Sequence, residues 1–193
     1  MKKTAGFLMA AIAFTVFAAF TAFQTPWKND KAHSQLIFTV THLGVSDVSG
    51  SFNDFDVTVQ ASKSDFSDAV FELSAKTASI DTRVEARNNH LKSADFFDAE
   101  KYPELHFKST AIKSAGKNKF KLTGDLTLHG ITKPVTLDLV YRGQTENPMS
   151  KKATAGFQVS GVIKRSDFKF GEKFPAPMIS DEVTIKADGE FAQ

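Results

Sequence analysis

Cysteine is absent from the 193-residue chain. That excludes a disulfide framework, thiolate chemistry and a lipidated cysteine behind a leader, so stability has to come from a packed core. Tryptophan occurs once and tyrosine twice, against 19 phenylalanines, so the aromatic bulk is supplied almost entirely without a polar handle. Charge of one sign is lacking too. Once Lys2 and Lys3 are set aside, basic and acidic residues balance at 22 each, which argues against nucleic acid or an anionic membrane surface as the main partner. No Gly-x-Ser-x-Gly elbow occurs, and Asp30, His33 and Ser34 lie too close in sequence for a nucleophilic triad. His33, His42, His90, His106 and His129 show no paired ligand spacing, and a zinc site without cysteine would need carboxylate help. Neither a metal site nor an enzyme is expected.

What is present begins with Lys2-Lys3 and an uncharged run from Thr4 to Phe23. Residues 1–23 read as a secretory signal segment, and the protein as exported, periplasmic or extracellular. No clean small-x-small cleavage site follows. The run is also near the ~20 residues of a membrane span, so an uncleaved N-terminal anchor stays as the minor alternative.

Beyond Trp27 the pattern is that of strands. Leu36, Phe38, Val40 and His42 share one face of a strand over Ser34–His42, with Thr39 and Thr41 on the other. A turn region over Gly44–Gly50 leads to Phe52, Phe55, Val57 and Val59. Phe52 and Phe55 are an odd number apart, so a bulge or bend near Asn53-Asp54 is needed to bring both inward. Ala61 to Asp68 reads as polar connection, and Val70–Ile80 alternates with Phe71, Leu73, Ala75 and Thr77 together. Later faces are Leu105, Phe107, Ser109 and Ala111; Phe120, Leu122, Gly124, Leu126 and Leu128; Val135, Leu137, Leu139 and Tyr141; Ala155, Phe157, Val159, Gly161 and Ile163; and Val183, Ile185, Ala187, Gly189 and Phe191. A second irregular stretch, Arg165 to Ser180, carries Phe168, Phe170 and Phe174, with Arg165 and Asp167 expected as a structural pair. The three inward glycines either permit strand coiling or leave room.

These eight strands, each with one apolar and one polar face, predict an all-β protein: an extended, eight-stranded antiparallel barrel with a short helical insertion. The outward faces carry Glu72, Lys76, Lys108, Lys121, Lys186 and Asp188, too costly for contact with lipid, so an integral membrane barrel is not expected. The insertion is the stretch between Ser79 and Phe107. Thr82 and Glu85 have capping-box spacing, predicting a helix from Arg83 with Val84, Asn88 and Leu91 as its buried stripe. The pair Phe96-Phe97 suits the plugging or lining of a barrel end. Arg83, Arg87 and His90 either pin this helix or meet a ligand oxygen at the mouth, where guanidinium forks suit oxygen acceptors. His42 reads either as a hydrogen-bonded core histidine or as a headgroup contact.

Several ordered motifs carry a resemblance. Ala32-His33-Ser34 with Leu36-x-Phe38-x-Val40-x-His42 and Gly50-Ser51-Phe52 is followed by Ile80-Asp81-Thr82. Then come Arg87-Asn88-Asn89-His90-Leu91-Lys92-Ser93-Ala94-Asp95-Phe96-Phe97-Asp98 and Lys101-Tyr102-Pro103. Gly124-Asp125-Leu126-Thr127-Leu128-His129-Gly130-Ile131-Thr132-Lys133-Pro134-Val135 and Arg165-Ser166-Asp167-Phe168 complete the set. Together these resemble the YceI family across residues 27–191. Asn88 stands where the family often has aspartate, which removes any ion pair or headgroup contact made through that carboxylate.

The resemblance implies a lipocalin-like barrel holding a polyisoprenoid, an isoprenoid quinone or another long-chain amphiphile in an apolar channel, with no covalent cofactor. Inward candidates for lining it are Phe38, Val40, His42, Phe52, Phe71, Leu73, Phe96, Phe97, Phe107, Leu122, Leu126, Leu137, Leu139, Phe157 and Phe170. Arg83, Arg87 and His90 are the headgroup candidates. Burying ~16 methylenes at ~0.8 kcal/mol each gives a gross ~13 kcal/mol, of which tail ordering and lost translation take back a large part. The competing reading is a self-filled structural or stress-related interaction module without a lipid. A homodimer is left open.

Overall fold

The computed structural model describes residues 25–193; the signal segment expected over residues 1–23 lies outside the described residues. Ten strands and one α-helix follow in order: β1 (Trp27–His42), β2 (Ser46–Phe52), β3 (Phe55–Gln60), β4 (Val70–Lys76), β5 (Ile80–Asp81), α1 (Glu85–Lys92), β6 (Glu104–Gly116), β7 (Lys119–Leu128), β8 (Ile131–Glu146), β9 (Ala153–Lys164) and β10 (Glu182–Ala192). One antiparallel sheet runs β10-β9-β8-β7-β6-β4-β3-β1-β2-β5, and β10 pairs back onto β1. The sheet is therefore closed.

The ten strands make eight staves. β1 pairs with β2 from Ile37↔Ser51 to His42↔Ser46, and with β3 at Trp27↔Val59, so β2 and β3 are one stave broken at Asn53-Asp54. That break turns both Phe52 and Phe55 into the core, where each is buried. β4 and β5 are likewise one stave, interrupted by a 3-10 turn at Thr77–Ser79. The lipocalin-like eight-stranded barrel is thus the architecture found, with α1 as its single helix.

Several local expectations need correction. β1 starts at Trp27, not Ser34, and the turn after it is only Leu43-Gly44-Val45. There Leu43 and Gly44 both take positive φ, which lets a tight hairpin follow the strand twist. A bulge between Ser109 and Ala111 shifts the alternation of β6, so Ile112, not Ala111, packs against the core. Helix α1 begins at Glu85, with Val84 at its N-cap and no side-chain cap. Arg83 at φ 65 breaks the chain just before it, and Val84 points outward. Thr82 is buried, donating its hydroxyl to Asn88 rather than capping. The inward glycines leave room that neighbouring side chains take up: a Cβ at Gly124 would meet the Phe107 ring, and one at Gly161 would meet Leu137, each at 2.5 Å. Neighbouring side chains lie across them.

Two apolar clusters divide the interior. One, around Trp27, Val59, Phe66, Phe120, Leu139 and Phe157, fills one end of the barrel. Its centre is Phe66, from the connection that the sequence presents as polar. The Phe66 ring lies 4.9 Å from Phe157, 5.0 Å from Tyr141 and 5.5 Å from Trp27. The loop is tied beneath it by the Asp68 carboxylate, which accepts from the Ser62 and Lys63 amides. Burial pushes that carboxyl up, but the Ser62 hydroxyl, which also donates to it, and these two amides outweigh the burial and hold it below the usual range. The second cluster, around Leu36, Phe52, Phe96, Phe97, Phe168 and Phe170, sits beneath α1 and the loop after β9.

Candidate functional site: an apolar barrel cavity

Between the two clusters the barrel encloses a cavity of about 500 Å³, within the range of small-molecule sites. Its shaft is built by alternation. Phe38 and Val40 of β1, Leu73 of β4, Leu126 of β7 and Val183 and Ile185 of β10 all face it, because every second residue of a stave points inward. Phe96 and Phe97 cover part of the helical end. Phe97 meets Phe52 edge-on at 5.6 Å and Phe170 at 4.6 Å, and Phe96 stacks on Phe174 at 4.9 Å with rings 9° apart.

The structure places all the expected lining residues around this space except one: Phe38, Val40, His42, Phe52, Phe71, Leu73, Phe96, Phe97, Phe107, Leu122, Leu126, Leu137, Phe157 and Phe170. Leu139 is the exception. It lies two residues beyond Leu137 towards the filled end, where it is 1% exposed in the solid cluster.

Among the headgroup candidates Arg83 does not reach the cavity. Its side chain is exposed and its amide donates to Asp81 Oδ1 at 2.7 Å. Arg87 lines the cavity, with Nε donating to Thr82 Oγ1 at 2.9 Å and one terminal nitrogen to the Thr82 carbonyl at 2.8 Å. His90 also lines it, edge-on to Phe96 and Phe174 at 5.1 and 5.4 Å, with Nε2 3.3 Å from Asp95. Lys173, and after it His90, holds the Asp95 carboxyl below its usual range. His42 is not a core histidine. It is exposed on the rim, where its backbone bridges to Ile179.

Arg165 is the residue that the sequence most under-reads. The expected pairing with Asp167 is not made. Arg165 is 6% exposed, and its guanidinium donates to five backbone carbonyls: Ser180 at 3.0 Å, Phe170 at 3.0 Å, Gly171 at 2.8 Å, Ile179 at 3.0 Å, and Phe174. One side chain thereby shapes the whole loop and sets Phe170, Phe174 and Ile179 against the cavity. The Arg-Ser-Asp-Phe motif was visible; the partners were not, since backbone carbonyls have no sequence signature.

On the outer surface a bulge in β1 gathers three groups that are far apart or unaligned in the sequence. Ligand atoms of Asp30, His33 and Glu190 lie within 4.8 Å of one another. His33 Nδ1 is 2.8 Å from Asp30 Oδ2, and that contact raises the histidine and lowers the carboxyl. The cluster is not part of the cavity wall.

A closed antiparallel barrel with a ligand-sized apolar interior, one packed end and one loop-covered end is a binding barrel. The YceI-like domain model matches residues 27–191. "Protein YceI" from Salmonella arizonae is 36% identical over 190 residues, covering 97% of each chain, as is its namesake from Salmonella paratyphi B. Among solved structures, Burkholderia cenocepacia BcnA superposes with a TM-score of 0.76 at 28% identity, over 86% of this chain and 99% of that one. The Campylobacter jejuni YCEI protein gives 0.72 at 28% identity, over 96% and 99%. A polyisoprenoid binding domain from Saccharophagus degradans shares the fold at 14% identity, TM-score 0.68, over 86% and 97%. The chain belongs to the YceI-like family.

Proposed function

We propose that this is an exported, non-catalytic binding protein that holds a polyisoprenoid, an isoprenoid quinone or a similar long-chain amphiphile inside its barrel. The observation that carries the reading is the cavity: about 500 Å³, walled by the aliphatic and phenyl side chains of all eight staves. Apolar surface held open in this way gains about 25 cal/mol for each Å² that a ligand covers, and chain-like hydrocarbon fits an elongated shaft. The polyisoprenoid-binding neighbour supports the ligand class through its shared fold. Export rests on the leader-like N-terminal segment. The competing reading, a self-filled interaction module, accounts less well for an interior left unfilled between two packed clusters.

Native mass spectrometry of the protein from its own cell envelope, followed by organic extraction, tests the proposal. A stoichiometric apolar adduct is expected. A bare chain that takes up neither added quinones nor polyprenols overturns it.

A further inference from the structure

Away from the helical end, the polar lining of the cavity is gathered at one place, the seam between β1 and β10. There Asn29 pairs with Phe191 and Ser34 with Gly189. Five positions on β1 are spanned by two on β10, so residues 30–33 bulge outward. The odd spacing from 29 to 34, which would put the two side chains on opposite faces of a regular strand, instead brings both into the barrel. Both line the cavity. Asn29 Nδ2 and Ser34 Oγ are buried and bonded to no protein group, the two side-chain atoms of which this is true among the described residues.

The amide orientation of Asn29 is not free. Its Oδ1 accepts from the Val57 amide at 2.8 Å, so the group left without a partner is the NH₂, a donor. Gly189 makes room opposite: a Cβ there would collide with the Ser34 hydroxyl. A buried donor with no partner is costly, and this pair lies beneath the apolar shaft, with Leu36, Phe38, Val40 and His42 leading from it to the rim. The cationic or protonatable lining groups, Arg87, His90, Arg165 and His42, lie at the helical end. Asp188 borders the seam but alternates outward with Lys186, and its carboxylate accepts from Gln158 at 2.9 Å and lies 3.6 Å from the Arg142 guanidinium.

We infer that Asn29 and Ser34 form a recognition site for a neutral oxygen function, a carbonyl or a hydroxyl, and that the amphiphile binds with this polar group inward and its tail towards the mouth. The inference rests on the binding reading above and narrows it. No lysine or arginine lines the cavity at the seam, and the two that do line it, Arg87 and Arg165, lie at the helical end, so a quinone, ketone or prenol is selected over a prenyl phosphate.

The test uses the delipidated protein as its own cells make it, with three probes of one chain length: farnesol, its hydrocarbon farnesene, and farnesyl phosphate. Wild type is expected to bind farnesol about tenfold tighter than farnesene, the value of roughly one hydrogen bond. Ser34→Ala and Asn29→Leu are each expected to bring farnesol most of the way to the hydrocarbon while leaving farnesene unchanged. Lys121→Met, on the outer face of β7 and outside the cavity wall, is expected to alter neither. Because Asn29→Leu also removes the acceptor for Val57, Ser34→Ala alone suffices if the first variant fails to fold. A farnesol preference that survives Ser34→Ala overturns the inference. So does farnesyl phosphate binding tightest and weakening in Arg87→Met, which puts the head at the mouth. If wild type binds none of the three, the binding reading itself falls, and this site with it.

Discussion

Asn88 holds Thr82 through a single oxygen: Oδ1 accepts from the Thr82 amide at 2.7 Å and from its hydroxyl at 2.6 Å. The amide nitrogen of the same side chain donates to Asp81 Oδ1 at 3.0 Å. Asn88 is therefore a brace between β5 and α1 and does not line the cavity.

The brace explains why an amide suits this position here. Asn88→Asp keeps the acceptor but loses the donor to Asp81 and sets two carboxylates together, and the Asp81 carboxyl is at present held low by the Arg83 amide and then by Asn88. Asn88→Asp is expected to cost about 1–2 kcal/mol at neutral pH, and less near pH 4, where the new carboxyl protonates. Urea melts at pH 7 and pH 4 check this; a loss that grows on acidification contradicts it.

Arg165→Met should loosen the loop after β9 without opening the staves. It removes donors from five carbonyls, at a cost of at least ~3 kcal/mol. Hydrogen exchange is expected to accelerate over residues 170–180 while the β7 and β8 amides keep their protection, because those depend on the ladder alone.

Phe66→Ala removes the ring at the centre of the filled end, and a loss of about 3–5 kcal/mol is expected. The chain has one tryptophan, and Trp27 packs edge-on against Phe66. Its emission therefore reports the change directly and should shift to the red as water reaches it.

Leu139→Ala and Leu126→Ala separate the two halves of the interior. Leu139 is enclosed on all sides and should cost about 2–5 kcal/mol. Leu126 faces the cavity and forfeits fewer contacts, so its loss should be smaller. Equal losses by chemical denaturation would show the cavity to be packed as tightly as the filled end.

The Asp30–His33 pair should titrate as a unit. Asp30 is lowered, so its contribution is present above the unfolded carboxyl value of about 4 and is lost as pH falls through the folded one. His33 is raised, so its share is present below about 6.5 and is lost as pH rises through its folded value. The pair therefore acts in the interval between. NMR titration of His33 should give a midpoint above that of an ordinary histidine, falling back towards it in Asp30→Asn; an unchanged midpoint refutes the pairing.

The staves were legible because their alternation is written in side chains. Leu36-x-Phe38-x-Val40 and Phe120-x-Leu122-x-x-x-Leu126 can bury an apolar face in only one register. The break at Asn53-Asp54 was legible by parity alone. What escaped was decided by the backbone. Phe66 hides in a polar stretch because its burial depends on a loop conformation. The helix start was misread because Thr82 spends its hydroxyl on Asn88 and not on a cap. Asn29 joins the cavity only through a bulge, which reverses the parity from which a sequence reader works.

The pairing of β10 with β1 sets the order in which the molecule can be completed. Lys28 lies opposite Ala192 and Phe38 opposite Ile185, so the first stave finds its second neighbour only when almost the entire chain is at hand. Until then the sheet is an open ribbon with an apolar face and two free borders, a state liable to pair with its own copies. Contacts so distant along the chain are reached late and slowly. The interval before the eleven residues of β10 dock is when the barrel is most exposed to misassembly.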